Sequence, residues 1–369
     1  MSVSYAKKYS IYPIDDPVSF RFYREQSTQM WDAEEIRIGE DKQEFNTFDD
    51  RMKEHIADIL MFLGPGDGLI SAQILGLLNK TKVFGQQAFL AYQMAIEVAH
   101  AHAYADAIAM FFSPAKAAEI FEAVDTLPCI RAKAEFIAKY MDDDFLESCP
   151  KGKYCKRQDL CPNEGEKCPA VYPIGQKYFA GAIGEGIFFV SLFAFIFRIM
   201  KDDKLKRFCF LNEQVAKDEK VHRDNNITMA KRFKEDVPPA LAKEMLGRAI
   251  QIEHEFIKYV LRTPITTAAI DARRGLTVEN LTRYVATLSD HLSEFMGYGR
   301  MFTVAEGLPI EPWQYYEISL PWMVDCSLGR RTNMHEGDPA DYQKVSLQEK
   351  VAAGDVGARA FADPCSMDI

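Results

Sequence analysis

The sequence predicts an all-α protein built as a bundle of long helices. Runs of alternating β-branched residues bounded by turn pairs are scarce. Apolar residues instead recur at helical spacing over long stretches, and residues 86–112 run without a glycine or proline up to Pro114. Hydrophobic residues make up 48% of the 369 positions and 25 are Phe, enough for one large apolar core. Residues 50–63 place Met52, Ile56, Ile59, Leu60 and Leu63 on one stripe. Residues 115–125 and 130–142 read as two shorter helices split at Leu127-Pro128. Residues 176–201, 203–234, 238–262 and 277–305 supply four more. The organisation that follows is an N-terminal arm over 1–14 and one helical domain over 15–328. A Cys-rich loop is inserted at 148–173. A tail over 329–369 lacks sustained periodicity and reads as flexible.

The formal net charge is −10. Such a surface repels phosphate backbones, so no nucleic-acid partner is expected. Residues 1–9 are polar and the apolar run at 11–14 is too short for a secretory signal. The longest apolar stretch, residues 187–199, falls short of the roughly 20 residues that span a bilayer. It reads as a helix buried inside the protein, and no membrane association is expected. Of the eight cysteines, Cys129, Cys209, Cys326 and Cys365 are scattered and the rest are clustered. Without a secretory signal, a cytoplasmic setting with reduced thiols is the expectation.

The central motif is a pair of Glu-x-x-His sequences, Glu97-Val98-Ala99-His100 and Glu219-Lys220-Val221-His222, on two different long helices. Side chains at i and i+3 project from one helix face. Each motif therefore offers a carboxylate and an imidazole to one cation. Alone, such a motif is usually a solvated helix face. The pair becomes specific when two further helices each add an acid, the plan of two-metal carboxylate bundles. Glu185 is a lone acid leading into the most apolar stretch, where an unpaired carboxylate is costly. It could instead cap a helix start and face water, but its neighbours are small or apolar. Asp67, in Gly64-Pro65-Gly66-Asp67-Gly68, reads by itself as a turn aspartate. Asp67, Glu97, His100, Glu185, Glu219 and His222 together would neutralise two divalent cations. Oxygen donors with imidazole suit iron or manganese, whereas zinc prefers fewer ligands.

Tyr104 lies at +4 from His100 and +7 from Glu97, on their helix face. It is either a core tyrosine with a satisfied hydroxyl or a phenol held beside the metals. Phe189, Phe193 and Val215 fall on the metal-facing stripes of their own helices. An apolar pocket of that kind would keep water and reductants from a phenoxyl radical.

In order and spacing, the segments TQMWDAEEI, MAIEVAHAHAYADAI, AIGEGIFF, NEQVAKDEKVH and EISL followed by TNMHEGDPADYQ resemble the small subunit of class I ribonucleotide reductase. The resemblance runs over residues 12–342. It implies a ferritin-like helical bundle with a di-metal carboxylate site and a homodimer. It also implies two iron ions, or manganese, that activate oxygen with the help of an external electron donor. A stable tyrosyl radical would then be relayed to the large subunit, where ribonucleotides are reduced to deoxyribonucleotides. On this resemblance Asp67, Glu97 and His100 serve one metal and Glu185, Glu219 and His222 the other. Tyr104 matches the radical position, and Trp31 the tryptophan that passes electrons toward the metals. Asp218 matches the acid linking a metal-bound histidine to that tryptophan, and Tyr342 the tail tyrosine that relays the radical across the subunit interface. The last residues would dock on the large subunit. Nucleotide binding belongs to that partner, in keeping with the lack of a GxxxxGK loop here.

The chain departs from the family pattern in three places. His102 is unexpected between His100 and Tyr104; at +2 from His100 it points away from the ligands, which suits a helix surface. The tail beyond Tyr342 is somewhat longer. The third departure is the loop containing Cys149, Cys155, Cys161 and Cys168, which reads either as a structural zinc site or as four reduced thiols. The alternative function is another ferritin-like di-iron oxidase or oxygenase. Such enzymes need an open substrate cavity and usually lack a tyrosine at +4 together with a tail tyrosine. An iron-storage protein is typically about half this length, and a non-catalytic helical scaffold would not carry Glu185 in an apolar run.

Overall fold

The computed structural model describes residues 14–141, 172–262 and 276–303, and every regular element among them is helical. The Cys-rich loop, Tyr342 and the tail from 329 onward lie outside the described residues. Helix α1 (Pro17–Ser27) starts on Asp16, whose side chain accepts from the amides of Val18 and Ser19, with proline at the first helical position. A short α2 (Lys42–Thr47) leads to the first long helix, α3 (Asp50–Lys80), capped by Asp49. Then come α4 (Phe84–Phe111), α5 (Pro114–Phe121), α6 (Ala123–Thr126) and α7 (Pro128–Met141). After the loop, α8 (Ile174–Ile183) passes through a π turn (Gly184–Phe188) into α9 (Val190–Lys201). Helices α10 (Lys206–Arg232), α11 (Pro239–Val260) and α12 (Val278–Phe295) complete the order.

Two helix pairs build the centre. Helix α3 packs along α4, and α8 packs along α10, with α4 and α10 also in contact. Helix α7 packs on α3 and α8, and α11 packs on α7 and α12. Ile59, Leu60, Phe62, Leu63, Phe89, Leu90, Phe188 and Phe189 are all sealed from solvent. Burial of one such residue contributes about 1.5–3 kcal/mol, so the central helices are held by packing more than by helix propensity.

Five boundaries differ from the sequence expectation; one is that the expected helix over 115–125 divides at Glu122 into α5 and α6. Helix α3 does not stop at residue 63 but continues through Pro65 to Lys80. An interior proline costs about 3 kcal/mol; burial of Ile70, Ile74 and Leu77 beyond it offsets that. Gly66 lets α3 pack closely there: a Cβ at that position would lie 3.1 Å from the Phe189 ring, which would have to shift by a few tenths of an ångström. The expected helix over 176–201 runs on through the π turn instead of keeping one α-helical register. Helix α10 starts at Lys206, not 203, because Asp203 and Leu205 adopt left-handed backbone conformations (φ 55° and 47°). Its first amides are satisfied from outside: Phe208 N donates to Asp41 Oδ2 at 2.8 Å, and the preceding Leu205 N to Glu44 Oε2 at 2.8 Å. Helix α12 ends at Phe295, ahead of left-handed Gly297 and Gly299. Asp290 then holds the returning backbone by accepting from the amides of Met301, Phe302 and Thr303.

The continuous helical run over 174–201 is long and apolar enough to cross a membrane, longer than the stretch read from sequence. It is almost wholly buried inside the fold, as a core helix is.

Candidate metal centre

Four helical segments deliver the six candidate ligands. Asp67 comes from α3, Glu97 and His100 from α4, Glu185 from the π turn, and Glu219 and His222 from α10. All six are at most 1% exposed. Their donor atoms fall into two overlapping groups, each closed within 4.8 Å: Asp67, Glu97, His100 and Glu219, and Glu97, Glu185, Glu219 and His222. Glu97 and Glu219 belong to both. Sharing Glu97 and Glu219 between the groups differs from the expected division into two separate sets of three. Glu185 does not cap a helix toward water, and Asp67 is helical rather than part of a turn.

The donor set fits a pair of divalent cations. Both oxygens of Asp67, Oε2 of Glu97 and of Glu185, Oε1 of Glu219 and Nδ1 of His100 are buried and make no hydrogen bond. Leaving so many polar atoms unsatisfied costs more than a small core can bear unless a cation meets them. His100 Nδ1 lies 3.5 Å from Glu97 and 3.3 Å from Glu219, while His222 Nδ1 lies 3.0 Å from Glu97 and 3.1 Å from Glu219. Both rings thus turn Nδ1 inward and Nε2 outward.

The outward nitrogens are held by a second layer. His100 Nε2 lies 3.1 Å from Asp218 Oδ2, which also accepts from Trp31 Nε1 at 2.8 Å. The Trp31 ring stacks on His100 at 5.6 Å between centroids. Gln26 Nε2 lies 2.5 Å from His222 Nε2, and Gln26 Oε1 makes no hydrogen bond. Were Nδ1 committed to a cation, Nε2 would carry the proton and a flip of the carboxamide would bring its oxygen to the ring. Gln93 Nε2 donates to Glu97 Oε1 and to Glu185 Oε1, both at 3.0 Å, tying ligands from two segments together. Sequence reading missed Gln26, Gln93 and Asn212. Gln93 at −4 from Glu97 and Asn212 at −7 from Glu219 were detectable as polar residues on the metal-facing stripes; Gln26 offered no such signal.

Tyr104 is fully buried, and its hydroxyl donates to Asn212 Oδ1 at 2.9 Å. Asn212 is itself fixed, its amide donating to the Phe208 carbonyl at 2.7 Å. Burial holds the phenol well above its ordinary range, and the charges of Asp67, Glu219 and Glu97 push the same way. Phe189, Phe193 and Val215 are buried as well. His102 is half-exposed and lies 3.6 Å from Asp106, as a surface residue would.

Without a cation, protons fill the site. Burial raises Asp67 and Glu185 well above the carboxylate range, and for Glu185 the charges of Glu219 and Glu97 add to it. Burial opposes the charged form of His222, but Glu97 and Glu219 outweigh it and lift the imidazole to about 9. A metal must expel these protons, so its affinity falls as pH falls and rises as pH climbs toward 9. Calorimetric titration with Mn²⁺ in buffers of different ionisation heat should show net proton release near pH 7. Affinity that does not change between about pH 6 and 8 would contradict this.

A helical bundle that closes four carboxylates and two imidazoles into two overlapping groups defines a two-metal carboxylate protein. Residues 8–309 match the family model described as ribonucleotide reductase, small chain, and the protein belongs to that family. It is 24% identical to the ribonucleoside-diphosphate reductase small subunit of Dictyostelium discoideum over 92% of this chain and 88% of the relative. Its fold is similar to that of dimanganese(II)-NrdF from Streptococcus sanguinis (TM-score 0.62, 15% identity, 85% of this chain and 99% of that one). It is also similar to the Rnr4 homodimer of Saccharomyces cerevisiae (TM-score 0.61, 18% identity, 80% and 83%). The protein is accordingly the small subunit of an oxidoreductase, a ribonucleotide reductase, and the reading as another oxidase of the same bundle is set aside.

Proposed function

We propose that Asp67, Glu97, His100, Glu185, Glu219 and His222 hold two metal ions, iron or manganese, and that Tyr104 stores the radical this subunit provides. The observation that carries the reading is the pair of overlapping, fully buried donor groups, with so many donor atoms lacking a hydrogen bond, beside a phenol closed off from water. When bound, the metal pair supplies the oxidising power, drawn from oxygen, that removes an electron from a phenol. The protein residues do the rest. Glu97 and Glu219 span both positions, Asp218 and Gln26 keep the imidazoles turned inward, and Asn212 receives the Tyr104 hydroxyl. Losing one electron and one proton converts that phenol to a radical, and the apolar walls shield it from reductants.

Trp31, Asp218 and His100 form one continuous hydrogen-bonded and stacked set. We read it as the route by which an external electron donor reaches the site, with Tyr342 as the relay toward the large subunit. Trp31→Phe should keep both metals and Tyr104 but slow the delivery of the external electron by tenfold or more (roughly 1.4 kcal/mol per tenfold). Stopped-flow absorption of the reconstitution reads this; a wild-type rate in the variant removes Trp31 from the route.

Several finer readings rest on the same family. The protein should assemble as a homodimer, as the similarly folded Rnr4 of Saccharomyces cerevisiae does; a monomeric mass in sedimentation would contradict it. Turnover should require the large subunit, and a cytoplasmic location accords with reduced thiols. Cys149, Cys155, Cys161 and Cys168 are proposed to hold a structural zinc. Unchanged zinc content in a Cys149→Ser, Cys155→Ser double variant would remove that proposal.

A further inference from the structure

Lys133 on α7 and Glu253 on α11 are completely buried and belong to no part of the metal centre. Lys133 Nζ lies 2.6 Å from Glu253 Oε1. The ammonium also sits 3.8 Å from the centroid of the Phe256 ring and 4.5 Å from that of Phe62. Stability alone does not account for such a pair, because well-packed apolar groups of the same volume do as well or better than a buried ion pair.

What the pair does touch is the π turn. There Phe189 N donates to Gly184 O at 3.3 Å, one residue further back than in an α-helix. The Leu192 amide, which a continuous α-helix would give to Phe188, donates instead to Phe189 O at 3.0 Å. The Phe188 carbonyl accepts from Lys133 Nζ at 3.2 Å. Three residues on, Ser191 Oγ donates to Glu253 Oε2 at 2.5 Å. The ion pair therefore grips the helix at the end of the bulge and again one turn later. That bulge carries Glu185.

We propose that the Lys133–Glu253 pair is a positioning device: by occupying the Phe188 carbonyl and anchoring Ser191 it holds the π turn, and through it Glu185, in the register that brings the carboxylate to the second donor group. The proposal rests on Glu185 being a ligand. Glu185 and His222 belong only to the second donor group, and Asp67 and His100 only to the first. Loosening the turn should therefore weaken one half of the site and spare the other.

The test uses the full-length protein with Lys133→Met and Glu253→Gln together, which removes both charges at nearly constant volume. In the metal-free protein, amide exchange at residues 189–193 should quicken by tenfold or more while α10 keeps its wild-type rates. On titration with Mn²⁺, the second equivalent should bind about tenfold more weakly and the first should be unchanged. Wild-type exchange in the turn, or equal acceleration in every helix, would overturn the proposal. So would equal weakening of both equivalents. If the double variant does not fold, Ser191→Ala removes only the second anchor. It should quicken the same amides by about threefold, and unchanged exchange there overturns the proposal. Failure of the wild type to bind two Mn²⁺ would instead refute the ligand reading, and the exchange measurement would still judge the clamp.

Discussion

Glu219→Ala protein should take up neither metal, whereas Asp67→Ala protein should keep one. Glu219 belongs to both donor groups and lies within 3.3 Å of both imidazoles. Removing it deprives each half of a carboxylate and leaves three acids to balance two divalent cations. Asp67 belongs to the first group alone, so its loss leaves Glu97, Glu185, Glu219 and His222 intact. Outer-layer changes around a metal cost roughly 10–100-fold in affinity. Loss of a ligand shared by both ions should exceed about 100-fold for each. Metal content after reconstitution and desalting reads the difference directly. Equal stoichiometry in the two variants would mean that Glu219 does not bridge.

Tyr104→Phe protein should bind both metals and yield no radical and no turnover. The change removes one hydroxyl and leaves Asn212 Oδ1 without its donor, a cost of about 1–3 kcal/mol that a large core tolerates. The phenol's hydroxyl donates to Asn212 and not to a candidate ligand, so the donor set is untouched. A companion change, Asn212→Leu, keeps the phenol and strips its acceptor. It should retain the radical with a changed g anisotropy, because that anisotropy follows hydrogen bonding at the phenoxyl oxygen. A persistent radical in Tyr104→Phe would assign the stored electron hole to another residue.

Much of this centre was legible in the sequence, and the illegible parts share a cause. The two Glu-x-x-His motifs could be read because helix geometry alone puts i and i+3 on one face, and both helices formed as expected. Tyr104 followed from the same periodicity. Glu185 stood out because an acid inside an apolar run needs a partner. Asp67 could not be read from local pattern, since Gly64, Pro65 and Gly66 look like a helix end; only packing against α4 and Phe189 keeps α3 running through them. The π turn left no trace in the periodicity, because its register depends on Lys133 and Glu253, distant in sequence. That Glu97 and Glu219 belong to both donor groups depends on how closely α4 approaches α10, which no single helix encodes. Gln26 was hidden for the same reason.

The central claim is that this subunit makes a radical on a tyrosine beside two metals. The most direct test is the electron paramagnetic resonance spectrum of protein reconstituted with ferrous iron or Mn²⁺ and an oxidant, prepared with ordinary and with ring-deuterated tyrosine. A structured radical signal that narrows on deuteration, and relaxes faster than an isolated phenoxyl because metals lie close by, is the predicted result. No radical with either metal, or a signal indifferent to deuteration, would contradict it.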